Sequence, residues 1–177
     1  MSEDVTYGDA TGPEWLDVLD EVTDLYIAVC VDLGETTGIF TRESFVERTT
    51  RQAGRDGFSA VWARCGGTLV GFAFGLRFPP GGWWAGNAAP PPAEILDGPK
   101  FAVIELNVAG AWRGRGIGRT LHDRLLANRP EPYAVLTTTP GRPAREMYAR
   151  WGWEQFGTAQ HAPDAPVMDQ LVLRLHG

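Results

Sequence analysis

Apolar residues recur every three or four positions in the first part of the chain. Trp15, Leu19, Val22, Leu25, Tyr26 and Val29 share one helical face, with Asp17, Asp20, Glu21 and Asp24 turned away from it. The spacing predicts a helix over residues 13–31. Pro13 suits its first position, where the missing N–H would have no intrahelical partner anyway. A second helix is predicted over residues 42–53, with Thr41 as N-cap and Gly54 as C-cap. Val5, Thr6 and Tyr7 read as a short first strand. Two β-rich runs, residues 58–64 and 68–78, flank Gly66-Gly67 and predict a hairpin.

The second half alternates strand and helix. An apolar strand over residues 103–108 runs through a glycine-rich turn into an amphipathic helix over residues 119–129. Leu121, Leu125 and Leu126 face inward there, Arg119, Asp123, Arg124 and Arg129 outward, and Pro130 and Pro132 end it. A strand over residues 133–139 follows, stopped by Pro140 and Gly141. Strand, turn, helix and strand in this order predict a parallel β-α-β unit with a right-handed crossover. A further helix spans residues 144–153, capped by Gly152. Strands over residues 154–158 and 167–175 close the sheet, and no internal repeat is present. A length of 177 residues supports one domain over residues 1–177 with a real core.

Two segments stand apart from this periodicity. Between residues 79 and 93, twelve of fifteen positions are Pro, Gly or Ala, the others being Trp83, Trp84 and Asn87. Connections as long as residues 79–99 are functional or disordered in compact domains. Two indole rings argue for order, either because they wall a pocket or because they pin the loop.

The other segment is the turn Arg113-Gly114-Arg115-Gly116-Ile117-Gly118-Arg119. A glycine-rich turn between strand and helix offers backbone N–H groups, a helix N-terminus and arginine charge to a pyrophosphate. It lacks the Gly-Lys-Ser/Thr ending of a Walker loop, since the single lysine, Lys100, lies upstream. It also lacks the final glycine of the dinucleotide fingerprint, which falls on Arg119 or Leu121. What remains is Arg113-x-x-Gly116-x-Gly118.

Taken with Leu106-x-Val108 before it and Ala144-x-x-x-Tyr148-x-x-x-Gly152-Trp153 after it, this turn resembles the GNAT superfamily of acyl-CoA-dependent N-acetyltransferases. The resemblance covers residues 101–157 by motif and the remainder by element order. It implies an α+β fold: a mixed, mostly antiparallel sheet of about six to seven strands, about four flanking helices, and a β-α-β unit for acetyl-CoA. Leu106, Asn107 and Val108 would pair with the pantetheine arm, and Arg113, Gly114, Arg115, Gly116, Ile117, Gly118 and Arg119 would hold the pyrophosphate. Trp83 and Trp84 would lie beside the acceptor pocket. The chain departs from the family at Gly141, where an Asn that bonds the cofactor arm is frequent.

The implied reaction is direct attack of a primary amine on the thioester through a tetrahedral intermediate, with the Val108 amide as oxyanion donor. Tyr148 occupies the family's general-acid position. A phenol of pKa about 10 protonating a thiolate near 8.5 is uphill by roughly 2 kcal/mol, within reach of a positioned donor. The other reading of Tyr148 is a core aromatic that only positions the cofactor sulfur. Glu105 is the candidate base, because a carboxylate inside an apolar strand needs a reason to be there. Its parity with Asn107 puts both on one face of the sheet. The competing reading of Glu105 is a salt bridge to an arginine, with water as base. A domain that binds acetyl-CoA as a sensor without catalysis is the alternative function.

Charge narrows the partners. Residues 1–50 carry twelve acidic and two basic side chains, a balance of −10, while residues 112–129 carry five arginines against Asp123, a balance of +4. A net charge of −6 argues against a nucleic-acid binder, and the local arginines suit a small polyanion. The acidic first third suits a cationic acceptor or is simply a set of solvated helix faces. The acceptor is a small-molecule or peptide amine, and homodimers are common among family members. Cys30 and Cys65 make neither a metal motif nor a disulfide framework, and His122, His161 and His176 have no ligand spacing. No metal is expected. An acidic start at Met1-Ser2-Glu3-Asp4 and the lack of a long apolar run point to a cytoplasmic protein without a membrane span.

Overall fold

The computed structural model describes residues 4–176, so Met1, Ser2 and Glu3 of the acidic start lie outside the described residues. In chain order the elements are β1 (Val5–Ala10), α1 (Gly12–Asp17), α2 (Leu19–Leu33), α3 (Arg42–Ala53), β2 (Ser59–Cys65), β3 (Thr68–Phe78), β4 (Asn87–Ala88), α4 (Ala93–Leu96), β5 (Lys100–Val108), α5 (Ile117–Leu126), β6 (Tyr133–Thr138), α6 (Pro143–Arg150), β7 (Glu154–Gln160) and β8 (Met168–Arg174). The strands form one mixed, mostly antiparallel sheet in the order β1-β2-β3-β5-β6-β8-β7-β4. This is the expected α+β fold, with eight strands rather than six or seven. The additional strand is β4, two residues long and too short to leave a periodic signal. Among the described residues no helix is long and apolar enough to cross a membrane.

The chain forms two compact units, Met1–Leu76 with Ile104–Ala127 and Arg77–Val103 with Asn128–Gly177. In the first, β1, β2 and β3 pair antiparallel, and Gly66 and Gly67 turn the hairpin at φ 54° and 86°. Positive φ at both positions matches the right-handed twist of the flanking strands, and only glycine adopts it cheaply. Its core gathers Trp15, Val22, Leu25, Tyr26, Val29, Phe45, Phe72 and Phe74.

The helix expected over residues 13–31 breaks at Val18 (φ −112°, ψ 15°). Glu14 accepts from the Thr11 amide and hydroxyl, both at 2.7 Å, which starts α1 one residue earlier at Gly12. A Cβ on Gly12 would stand 2.0 Å from the Ala53 carbonyl, so α1 is seated tightly on the end of α3. One straight helix does not serve that seat and the α2 packing together. Helix α3 has the expected bounds, with Thr41 Oγ1 accepting from the Ser44 amide.

In the second unit Lys100–Ala102 of β5 pair in parallel with Tyr133–Val135 of β6, while β6–β8, β8–β7 and β7–β4 are antiparallel. The segment 79–99 is ordered by polar contacts to its backbone together with the packing of Trp83, Trp84 and Ile95. Lys100 is fully buried and donates to the carbonyls of Pro79 (3.2 Å), Leu96 (2.8 Å) and Gly98 (3.2 Å). Three ammonium donors meet three carbonyls, which is what a buried cation requires. Gln170, also fully buried, accepts from Trp83 Nε1 at 3.0 Å and donates to Ala89 and Thr158 carbonyls. Arg129, expected to face outward on the helix, is instead largely buried. Helix α5 ends at Leu126, Asn128 turns the chain at φ 56°, and the Arg129 guanidinium lies 3.7 Å from the Phe101 ring centroid.

His122 on α5 is also buried, with Asp123 Oδ1 at 2.8 Å from Nδ1. Burial holds its imidazole below the ordinary range, against the pull of Asp123. The unfolded chain therefore takes up this proton more readily. Its contribution to stability is complete above about pH 6.5 and is lost as pH falls through the window below. The gap between denaturation midpoints at pH 7 and pH 5 should narrow in His122→Leu relative to the parent chain. An unchanged gap would refute this.

Candidate active site

The carboxyl end of β5 feeds a 3-10 turn, Gly110–Trp112, and then the glycine-rich turn. Arg113 locks the exit from the strand: its Nε donates to the Val108 carbonyl at 3.1 Å, and Nη2 reaches Asp32 Oδ2 at 3.4 Å. The Ala109 amide bonds the Val70 carbonyl of β3 at 2.9 Å. Gly114 (φ 74°) and Gly116 (φ 81°) are both left-handed, and a Cβ at either would meet nothing within 4 Å. The turn is therefore an open, exposed cradle, and Gly116 is the N-cap of α5. The first amides of a helix have no intrahelical acceptor, so the residues from Gly116 onward present N–H groups at the positive end of the helix dipole.

The arginines are engaged with the protein. Besides Arg113, Arg119 Nε bonds both carboxylate oxygens of Asp123 at 2.9 and 2.7 Å, and the Arg115 guanidinium sits 4.7 Å from the Trp112 ring centroid. What the turn offers an anion is first of all its backbone, with the guanidinium charges around it.

Glu105 lies on β5 with its side chain 18 % exposed. Asn107 Nδ2 donates to Oε2 at 3.0 Å, as the shared face of the strand requires, and Arg48 Nη2 stands 3.4 Å from Oε1. Burial pushes the Glu105 carboxyl up from its ordinary value, while Arg48 and Asn107 pull it down and Glu35 adds to the rise. Both readings of this residue thus have a physical basis here: it is paired with an arginine, and its proton affinity is raised.

Arg48 escaped the sequence reading. The available signal was its place three residues after Phe45 and one before Thr49, on the buried stripe of α3 where a cation needs a partner. Tyr26 and Cys30 of α2 border the same cluster. Burial raises the Tyr26 phenol, and it pushes the Cys30 thiol up to about 11.

In the second unit Tyr148 is buried on α6, edge-on to Trp151 and to Trp153 with centroids 5.8 Å away in each case. Gly152, at φ 90°, turns the chain so that both indoles reach the tyrosine. Trp83 donates to the Ala89 carbonyl (3.2 Å) and to Gln170, and its ring lies 5.7 Å from Phe156. Trp84 packs edge-on to Phe78 at 4.8 Å and to His161 at 5.8 Å. The two indoles are thus tied into the unit while remaining partly exposed. Cys30 and Cys65 are free and buried, and among the described residues no group of three or more His, Cys, Asp or Glu is arranged to hold a metal.

The sequence profile of the acetyltransferase (GNAT) family matches residues 19–153. The chain belongs to that family and is an acyltransferase of its type. No curated protein matches the sequence. Among solved structures, the chain is similar to a protein from Pyrococcus horikoshii (TM-score 0.70, 18 % identity, 97 % of this chain and 98 % of that one). It is also similar to the PaiA N-acetyltransferase of Thermoplasma acidophilum in complex with coenzyme A (TM-score 0.64, 10 % identity, 97 % and 99 %). A third similar structure is an aminoglycoside N-acetyltransferase in complex with CoA (TM-score 0.61, 12 % identity, 94 % and 96 %). At these identities the likeness concerns the fold.

The raised Glu105 carboxyl has a signature in stability. Its contribution is fully present below the unfolded value of about 4.3 and is lost as pH rises through the higher folded value. Gln mimics the protonated form, so Glu105→Gln should gain on the parent in chemical denaturation as pH rises from about 4 to 8. A difference that is constant with pH contradicts the raised carboxyl.

Proposed function

We propose that the protein transfers the acetyl group of acetyl-CoA to a primary amine of a small molecule or peptide. The observation that carries this reading is the open turn at the end of β5, where Gly114 and Gly116 leave the amides ahead of α5 unobstructed. Exposed amides and guanidinium charge suit a pyrophosphate, and family membership makes coenzyme A its carrier. The complexes of the PaiA and aminoglycoside enzymes with CoA support the same donor. Acetyl-CoA supplies a thioester whose carbonyl an amine can attack directly. Both units then serve one acetyltransferase domain, in a cytoplasmic setting that suits the free cysteines.

The residues divide the work by chemistry. Amides of residues 114–118 hold the pyrophosphate, with Arg113, Arg115 and Arg119 adding charge. The β5 edge from Leu106 through Asn107 to Val108 pairs with the pantetheine arm as another strand would, and the Val108 amide stabilises the oxyanion. Glu105 takes a proton from the ammonium of the acceptor, since an alkylamine near pKa 10.4 is almost wholly protonated at neutral pH. Tyr148 gives a proton to the departing thiolate and recovers one from the acetylated nitrogen as the intermediate collapses, and its setting between Trp151 and Trp153 suits a hydroxyl that must not wander. Trp83 and Trp84 wall the acceptor side. The aminoglycoside enzyme among the similar structures supports an amine as acceptor.

Calorimetry with acetyl-CoA and CoA tests the donor, and an acceptor panel of diamines, aminoglycosides, amino acids and peptide N-termini tests the reaction. Absence of heat with both acetyl-CoA and free CoA refutes the assignment. Binding without transfer to any amine would instead make the protein a sensor. Tyr148→Phe should lower kcat by about 10²-fold, the usual scale for a lost general acid, with CoA affinity nearly unchanged. Unaltered turnover removes Tyr148 from the acid role. A double Trp83→Ala/Trp84→Ala variant that folds should raise the acceptor KM and spare the KM for acetyl-CoA.

A further inference from the structure

The guanidinium of Arg48 is held by more than its carboxylate. Nη1 donates to the Ile39 carbonyl at 2.5 Å and Nη2 to the Tyr26 hydroxyl at 2.8 Å. Its Cζ lies 5.3 Å from the Tyr26 ring centroid and 5.1 Å from that of Phe45, and these two rings stack at 3.9 Å. None of these contacts involves Glu105. The charge is pre-set by α2, α3 and the turn before α3, and the carboxylate of β5 meets it there.

The contact itself is loose. At 3.4 Å, Arg48 Nη2 is at the outer edge of hydrogen-bond range from Oε1, whereas Asn107 fixes Oε2 at 3.0 Å. A carboxylate has about four acceptor positions, and a tight two-pronged arginine pair would occupy two of them and suppress its basicity. Here the oxygen beside Arg48 keeps room for an incoming proton. The other groups around it are Tyr26 and Cys30 from α2, Glu35 beyond it, and Asn107 on β5. Burial keeps the phenol and the thiol neutral in the working range, so Arg48 and Glu35 are the charges that bias Glu105.

We infer that Arg48 is a positioning residue for the reaction: a fixed charge, anchored by Ile39, Tyr26 and Phe45, that aims Glu105 and favours its ionised form. The proton passes from the acceptor's ammonium to a Glu105 oxygen, leaving the nitrogen lone pair free to attack. The inference rests on the reading of Glu105 as base given above.

Glu-labelled full-length protein provides a readout independent of turnover. The Glu105 carboxyl carbon, assigned by its absence in Glu105→Gln, is titrated by 13C NMR beside the pH profile of kcat/KM. Assays use acetyl-CoA and the primary amine turned over fastest in the panel. Arg48→Gln should move both the titration midpoint and the acid limb upward by about one pH unit. Activity below the limb then falls about tenfold and recovers as pH rises. Arg48→Lys and Tyr26→Phe should shift both in the same direction by less, and they carry the test if Arg48→Gln does not fold. Adding Arg48→Gln to Glu105→Gln should cost nothing further. A midpoint and limb that stay in place in all three Arg48 and Tyr26 variants, while Glu105→Gln removes the limb, overturn the inference alone. An unaltered rate and limb in Glu105→Gln overturn the base assignment and the inference with it.

Discussion

Gly71 of β3 lets α5 approach so closely that a methyl group there would crowd the helix. A Cβ there would stand 3.0 Å from Leu121 Cδ1, 3.2 Å from the Asn107 carbonyl and 3.3 Å from Ile117 Cγ2. That approach sets the height of the helix above the strand, and so fixes where its first amides stand at the end of β5. Ile117 and Leu121 are buried as a consequence, while Gly114 and Gly116, one turn away, remain open. A well-packed helix start next to an unobstructed turn is what a backbone anion site needs: donors held still by apolar contacts, with nothing in front of them.

The polar groups around this frame follow one rule, that a buried charge must find its partners within the protein. Lys100 satisfies it with three carbonyls and so helps to order a segment rich in Pro, Gly and Ala. Arg113, although exposed, bonds the Val108 carbonyl and holds the strand exit in place. Glu105 satisfies it with the Asn107 amide at 3.0 Å and with Arg48 at 3.4 Å, the looser of the two. Burial and a 3.4 Å arginine pull the carboxyl in opposite directions, with burial the larger effect.

Much of the fold was legible because it is local. The bounds of α3 follow from Thr41 and Gly54, and the hairpin from Gly66-Gly67. The β-α-β unit follows from an apolar run, a glycine turn and three leucines at helical spacing. Misreadings occurred where distant contacts overrode local pattern. The first helix breaks at Val18 because Gly12 must seat on Ala53, and Arg129 turns inward because Asn128 redirects the chain toward Phe101. Strand β4 exists only through its pairing with β7.

For the site, residue order alone set the chemistry available: which strand carries the carboxylate, which turn carries the glycines, and which helix carries the tyrosine. These are matters of residue type and short spacing, which periodicity and motif express directly. The partners of these groups come from folding. Arg48 lies fifty-seven positions from Glu105, and Asp32 eighty-one from Arg113, separations that no local pattern encodes. Whether a buried carboxylate is a base or half of a salt bridge depends on the distance and anchoring of a charge brought from another helix, and that distance comes into being only when the chain folds.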